Sequence, residues 1–383
     1  GTISIMKKFI YLCLLVNPVV SFAQDRGFYS VNDMNAEEPR FSFGAVKHRS
    51  ASISLGDVNN DGKIDAVVAN GRHWPETNYI FYNSGRGFNT MRALDDLSST
   101  SYTAELADLN NDGHLDIIEI NDNAPHRIYI GNGSGSFKFH SEVAKISNGR
   151  NVAVGDLDNN GFVDFIITNR GEQNMICYND GQLNFECVQL HTKQNSTIDI
   201  AIHDLNGDNL PDLVLANRDN IPNEIFINTG KRQFSKKLDF GTGTFETRSV
   251  AVADMNNDGN LDIVTGNING VNIVYLGSKN FTFNDTLLFG SKEIDTYSLA
   301  LADFNKDGFM DIVTGNYLKP NTVFMNLDGK SFDAINLTER PSATYDVAVG
   351  DINADGWLDI AVANSDDFNL YYINIFNRAK KAK

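Results

Sequence analysis

The sequence predicts an all-β fold, a seven-bladed β-propeller with four strands to a blade, and three observations predict it. A nine-residue acidic segment recurs seven times: DVNNDGKID (57–65), DLNNDGHLD (108–116), DLDNNGFVD (156–164), DLNGDNLPD (204–212), DMNNDGNLD (254–262), DFNKDGFMD (303–311) and DINADGWLD (351–359). Successive segments start about 50 residues apart, a period that marks a repeat array rather than unrelated domains. Each repeat carries four short apolar runs, and no stretch has helical periodicity.

The first element stands outside the fold. From Met6 the chain reads MKKFIYLCLLVNPVVSFAQ, with two lysines, an apolar core from Phe9 to Val20, and Ser21-Phe22-Ala23 as a small-x-small cleavage pattern before Gln24. Residues 1–23 are therefore expected to be upstream residues and a signal peptide. That places the mature protein in the medium, on the cell surface or in the periplasm. The apolar core is short for a bilayer and no other stretch of about 18 apolar residues exists, so no transmembrane segment is expected. Residues 24–40 read as a linker and residues 377–383 as a basic tail.

Within a repeat, a run such as NVAVGD (151–156) leads into the acidic segment and one such as DIVTGN (262–267) leaves it. A variable loop, a third run such as NEIFIN (223–228), a Gly-containing turn and a Phe-led fourth run such as FKFHSEV (137–143) follow. The last repeat ends at LYYINIF (370–376) without a fourth run, whereas FSFGAVKH (41–48) precedes the first acidic segment. Residues 41–48 are thus expected to be an N-terminal strand completing the last blade and closing a propeller over residues 41–376.

The acidic segments have the spacing of a calcium loop. Oxygen side chains at alternate positions 1, 3, 5 and 9 converge on one point when the backbone turns sharply, and glycine at position 6 permits the turn. Position 1 is Asp57, Asp108, Asp156, Asp204, Asp254, Asp303 and Asp351; position 3 is Asn59, Asn110, Asp158, Asn206, Asn256, Asn305 and Asn353. Position 5 is Asp61, Asp112, Asn160, Asp208, Asp258, Asp307 and Asp355; position 9 is Asp65, Asp116, Asp164, Asp212, Asp262, Asp311 and Asp359. An EF-hand would need a glutamate at position 12, where the first segment has Val68. Up to seven calcium ions are expected, with weaker binding where Asn160 replaces a carboxylate and Asn209 replaces the glycine.

The formal net charge of −17 fits this reading, because every acidic segment contributes three aspartates. A nucleic-acid partner would call for a basic face, and none is evident. After the leader two cysteines remain, Cys177 and Cys187, flanking a turn-like segment; export and cross-strand placement would allow a disulfide. An Asn lies 13 residues after each leading Asp, at Asn70, Asn121, Asn169, Asn217, Asn267, Asn316 and Asn364. Its recurrence points to a side chain that holds its own turn.

These segments resemble the FG-GAP/VCBS repeats of the integrin α-subunit propeller and of many exported proteins. The resemblance implies a calcium-bearing propeller and leaves the function open, since adhesion receptors, lectins and domains of polysaccharide-degrading enzymes share it. In the adhesion receptors the ligand lies on the face opposite the calcium loops. On that face the longest variable loop carries Arg72, His73 and Trp74, and a later one carries Tyr317. Six residues before each leading Asp stand Ala51, Tyr102, Arg150, Ile198, Arg248, Tyr297 and Tyr345, expected at the mouth of the central channel. The ligand set is therefore read as Arg72, His73, Trp74, Tyr102, Arg150, Arg248, Tyr297, Tyr317 and Tyr345.

No histidine pair has metal-ligand spacing and no nucleophile motif is present, so catalysis is not expected. The expected function is a calcium-binding adhesion or binding module for a glycan or an extracellular protein, monomeric by default. The alternatives are a propeller-fold polysaccharide lyase or hydrolase and a scaffold subunit of an envelope complex. Glu105 breaks the pattern of Ser and Ala at its position and is read as a ligand-contacting acid or a partner for a nearby arginine.

Overall fold

The computed structural model describes residues 27–29, 41–191, 193–241, 246–338 and 340–376. The expected signal peptide and the 377–383 tail lie outside them. All named elements are β-strands. Repeat four shows the unit: Asn195–His203, Asp212–Asn217, Asn223–Asn228 and Phe234–Phe240 form an antiparallel meander. The acidic segment is the turn between its first two strands, with His203 opposite Asp212. In repeat two the second and third strands run on as Asp116–Gly131, and its outer strand continues as Phe137–Gly155 into the first strand of repeat three.

The alternation of apolar residues explains how neighbouring repeats pack. Side chains on the two faces of each strand pair point to opposite neighbours, so a meander apolar on both faces must be covered on both. Leu157, Ile166, Tyr178, Ile200, Leu213 and Phe226 fill the space between repeats three and four. Corresponding clusters lie between the other successive repeats. Phe43, Ile53, Phe81, Phe88, Tyr371 and Ile373 join the last repeat to the first.

A hydrogen-bond relay runs along the same interfaces. The Asn ending each second strand accepts from a hydroxyl of its own first strand, as Ser50 to Asn70 at 2.8 Å and Thr344 to Asn364 at 2.6 Å. Its amide donates into its own turn, from Asn70 to the Thr77 carbonyl at 2.8 Å and from Asn364 to that of Phe368 at 2.7 Å. The hydroxyl accepts in turn from the preceding repeat: Asn78 donates to Ser101 at 2.8 Å, Asn272 to Thr296 at 2.9 Å and Asn321 to Thr344 at 2.9 Å. Asn369 of the last repeat donates to Ser50 of the first at 2.9 Å in the same way. The recurring Asn is thus an architectural residue, as its periodicity suggested.

The outer edge of the last repeat corrects one expectation. Residues 41–48 do not form a strand along it. Ser42 makes a single bridge to Leu370, flanked by bonds from Phe43 N–H to the Asn369 carbonyl and from Tyr371 N–H to that of Phe41. Gly44, at φ 71°, then turns the chain away, and His48 already belongs to the first inner strand, His48–Gly56. The rest of the edge is supplied by Phe28–Tyr29, from the segment read as a linker, pairing with Asn374 and Ile373. Phe28 is held there because its ring is fully buried against Phe304 and Phe376.

Cys177 and Cys187 sit directly opposite in neighbouring strands and form a disulfide.

Candidate functional site

The acidic loops fold their side chains inward. In the first, Asp57 accepts from the N–H groups of Asp61 at 3.1 Å and Gly62 at 2.7 Å, Asn59 accepts from Asp61 N–H at 3.0 Å, and Asp61 from Lys63 N–H at 3.0 Å. Two left-handed residues make this possible, Asn60 at φ 56° and Gly62 at φ 81°. In the fourth loop Asn209 takes the glycine position at φ 64°, which its short polar side chain tolerates, and its N–H still reaches Asp204 at 2.7 Å.

The ninth residue is anchored differently. Asp65 is fully buried and accepts from Val58 N–H at 3.2 Å and Asn83 N–H at 2.8 Å, tying the loop to the third strand. Burial pushes Asp65, Asp116, Asp164, Asp212 and Asp262 up to about 6 and Asp311 and Asp359 to about 7, against the pull of these N–H groups, with neighbouring loop carboxylates adding to the rise.

The donor set suits a hard cation, being oxygen throughout. In the third loop Asp156, Asp158 and Asp164 bring oxygens within 4.8 Å of one another, and Asp158 Oδ1 is buried without a hydrogen-bond partner. That loop also holds a cation of its own: Arg232 of the next repeat donates Nε to Asp158 Oδ2 at 2.8 Å while its guanidinium lies 4.3 Å from the Tyr178 ring. No local signal in the sequence links Arg232 to this loop.

Neighbouring loops also touch one another. The left-handed fourth residue reaches the next loop: Asn60 to His114 at 2.8 Å, Asn111 to the Gly161 carbonyl at 2.9 Å, Asn159 to that of Asn209 at 3.4 Å, Asn257 to that of Gly308 at 3.1 Å and Lys306 to that of Gly356 at 2.6 Å. Gly207 and Ala354 occupy this position in the fourth and seventh loops and have no side chain to reach with.

At the far end of the first strands, all seven repeats carry a register shift at the same place. It skips Ala51, Tyr102, Arg150, Ile198, Arg248, Tyr297 and Tyr345. A bulge re-aims the side chain of the extra residue. Here it brings all seven to one narrow cavity of about 70 Å³, which Asp199 and Asp346 also line.

Eight of the nine expected ligand residues meet at this mouth in two groups. The Arg72 guanidinium lies 4.0 Å from the Tyr345 ring and that of Arg248 4.0 Å from Tyr297, which stacks on Tyr317 at 4.9 Å. In the other group Arg150 lies 4.3 Å from Tyr102 and pairs with Asp122 at 2.8 Å. His73 bridges Asp122 at 2.7 Å and Tyr102 at 2.9 Å. Trp74 stands apart, 64% exposed, with Arg49 5.7 Å from its ring. Asp122 was not singled out in the sequence, and only its position in a variable loop hints at it.

Glu105 corrects another expectation. It does not line the mouth and, among the described residues, is not paired with an arginine; its carboxylate accepts from the Ser54 hydroxyl of the preceding repeat at 3.0 Å. Burial first, then the Asp346 carboxylate, push it up to about 7.

The fold and the loops define a β-repeat protein of propeller-like architecture. The FG-GAP-like repeat model matches residues 57–119, 108–167, 204–265, 254–314 and 303–362, and the chain belongs to that family. It is 30% identical over 110 residues to cartilage acidic protein 1 of Mus musculus, a match covering 27% of this chain and 16% of that protein. The crystal structure of BBS1N in complex with ARL6DN, soaked with mercury, superposes with a TM-score of 0.59 over 93% of this chain and 98% of that one at 10% identity. The lead-soaked form gives 0.58 over 91% and 97%, also at 10% identity. No helix among the described residues is long and apolar enough to cross a membrane.

Proposed function

We propose that the chain is an exported, calcium-stabilised propeller of seven four-stranded blades, closed on itself, that binds a glycan or an extracellular protein on the face opposite the acidic loops. The bonds and apolar cluster running from the last repeat to the first support closure. Calcium, when bound, would offset two of the three carboxylate charges of each loop, and the oxygen donors and the orphaned Asp158 Oδ1 support its assignment. The single observation carrying the binding reading is an asymmetry. The acidic loops repeat almost unchanged, whereas the seven bulge positions differ and concentrate arginine and tyrosine at one mouth.

One arrangement favours a second reading, a polysaccharide-active enzyme: Asp122, His73 and Tyr102 form a chain of hydrogen bonds that could carry a proton. Binding is preferred because burial holds the Tyr102 phenol above its ordinary range, so it is a poor base near neutrality.

The test is a screen of glycans and extracellular proteins with calcium and with chelator, using the wild type, Trp74→Ala and Tyr345→Ala. Both variants are expected to lose binding while melting within a few degrees of the wild type, and chelator is expected to lower the melting temperature. Undiminished binding by both variants would move the site off this face, and a melting temperature indifferent to chelator would remove calcium.

A further inference from the structure

Arg248 is the odd member of the mouth. Its Nε is buried without a hydrogen-bond partner, and among the described residues no carboxylate pairs with it. The neighbouring arginines each have a partner: Arg150 has Asp122 at 2.8 Å, Arg170 has Asp219 at 2.9 Å, Arg218 has Glu246, and Arg72 has the Ser365 hydroxyl at 2.7 Å, although the Arg72 Nε is likewise buried without one. The two carboxylates lining the cavity are engaged by other donors. Asp199 accepts from Val250 N–H at 2.9 Å, Ser249 at 2.9 Å and Asn151 at 2.6 Å, and Asp346 from Ile53 N–H at 3.0 Å and Ser298 at 2.9 Å. Arg248 is partly buried, and a guanidinium so placed costs stability unless an anion meets it. The rings of Tyr297 and Tyr345, 4.0 and 5.7 Å from it, supply only part of that compensation.

We propose that Arg248 is the counter-charge for the anionic group, a carboxylate or a sulfate, of an acidic glycan whose sugar rings lie on the surrounding tyrosines. This rests on the reading of this face as the binding face and names its ligand class. Size decides how much of the ligand enters. A cavity of about 70 Å³ holds one small charged group, far below the roughly 300 Å³ at which pockets begin to enclose a whole small molecule. The rest of the glycan therefore lies outside, where Tyr317 and Tyr345 are half-exposed, as their faces suit sugar rings. The chain's net charge of −17 argues against diffuse attraction of polyanions, so selectivity would come from this one guanidinium.

The experiment is a panel of carboxylate-bearing, sulfate-bearing and matching neutral oligosaccharides, with acidic peptides as a further arm, titrated against the wild type, Arg248→Met and Arg248→Lys in calcium. The wild type is expected to bind acidic chains about tenfold or more tightly than neutral ones, and Arg248→Met to erase that preference. The carboxylate and sulfate arms identify the group. Arg248→Met is also expected to melt no lower than the wild type, since it removes a desolvated charge. Arg248→Lys keeps the charge in case the methionine variant folds poorly and is expected to retain part of the preference. Equal binding of neutral and acidic chains, or an undiminished preference in Arg248→Met, overturns the anion assignment while leaving the binding face intact. Binding confined to acidic peptides overturns the glycan assignment, and no binding of any probe overturns the acidic-glycan proposal, while the protein arm of the screen above decides the binding reading itself.

Discussion

Replacing Asn316 by alanine tests whether the recurring Asn holds the repeats together. The side chain is 1% exposed, accepts from Thr296 at 3.1 Å and donates to the Pro320 carbonyl at 2.7 Å. Thr296 is itself fully buried and receives the Asn272 amide, so the substitution cuts the relay between repeats five and six. Two lost neutral bonds are worth about 1 kcal/mol each, and the orphaned hydroxyl adds about 1 to 3 kcal/mol. A loss of about 3 to 5 kcal/mol follows. Asn267, bonded to Thr247 at 2.9 Å and to the Val271 carbonyl at 2.8 Å, is built alike and should cost the same. Urea unfolding in calcium, followed by tryptophan fluorescence, measures both variants, with glycan or protein binding as a control that should not move. A loss below about 0.5 kcal/mol in either variant would show that the bonds are not missed when absent, and the architectural reading would fall.

Arg232→Ala removes the guanidinium that neutralises Asp158. The third loop should then depend more on added cation, so the gap between melting temperatures with calcium and with chelator is expected to widen; an unchanged gap would show that Arg232 does not compete for that loop. Stability should also depend on pH through Glu105 and Asp346. Burial raises Glu105 and Asp346 to about 7, above their unfolded values, so the folded state binds the extra protons. Their contribution is fully present below about pH 4 and is lost as pH rises through 7. Glu105→Gln is expected to flatten the slope of stability against pH between 5 and 8, measured by denaturant titration, and a slope equal to wild type would refute the assignment.

How much of this was legible depended on distance along the chain. The acidic loops and the recurring Asn could be read because their partners lie within a few residues: Asp57 bonds Gly62, and Asn70 bonds the Thr77 carbonyl. The seven mouth residues were found by counting from the leading Asp, although the bulge that aims them has no residue signature. Pairings between repeats, such as Arg232 with Asp158 and Arg150 with Asp122, join residues far apart in sequence and could not be read. The last outer strand was misplaced because Phe28–Tyr29 carries no repeat signature, whereas FSFGAVKH imitates one.

The bonds between neighbouring acidic loops stop where Gly207 and Ala354 replace a longer side chain. The acidic face is thereby divided into two belts, one running from the first loop to the fourth through Asn60, Asn111 and Asn159, the other from the fifth to the seventh through Asn257 and Lys306. One seam falls between the seventh loop and the first. The other, between loops four and five, opens into a cavity of about 340 Å³. A disturbance in one loop can spread along its own belt through side chains; across the seam between the seventh and first loops the link is the bond from Asn83 to the Ile352 carbonyl at 2.8 Å, and across the other the apolar layer beneath joins the repeats.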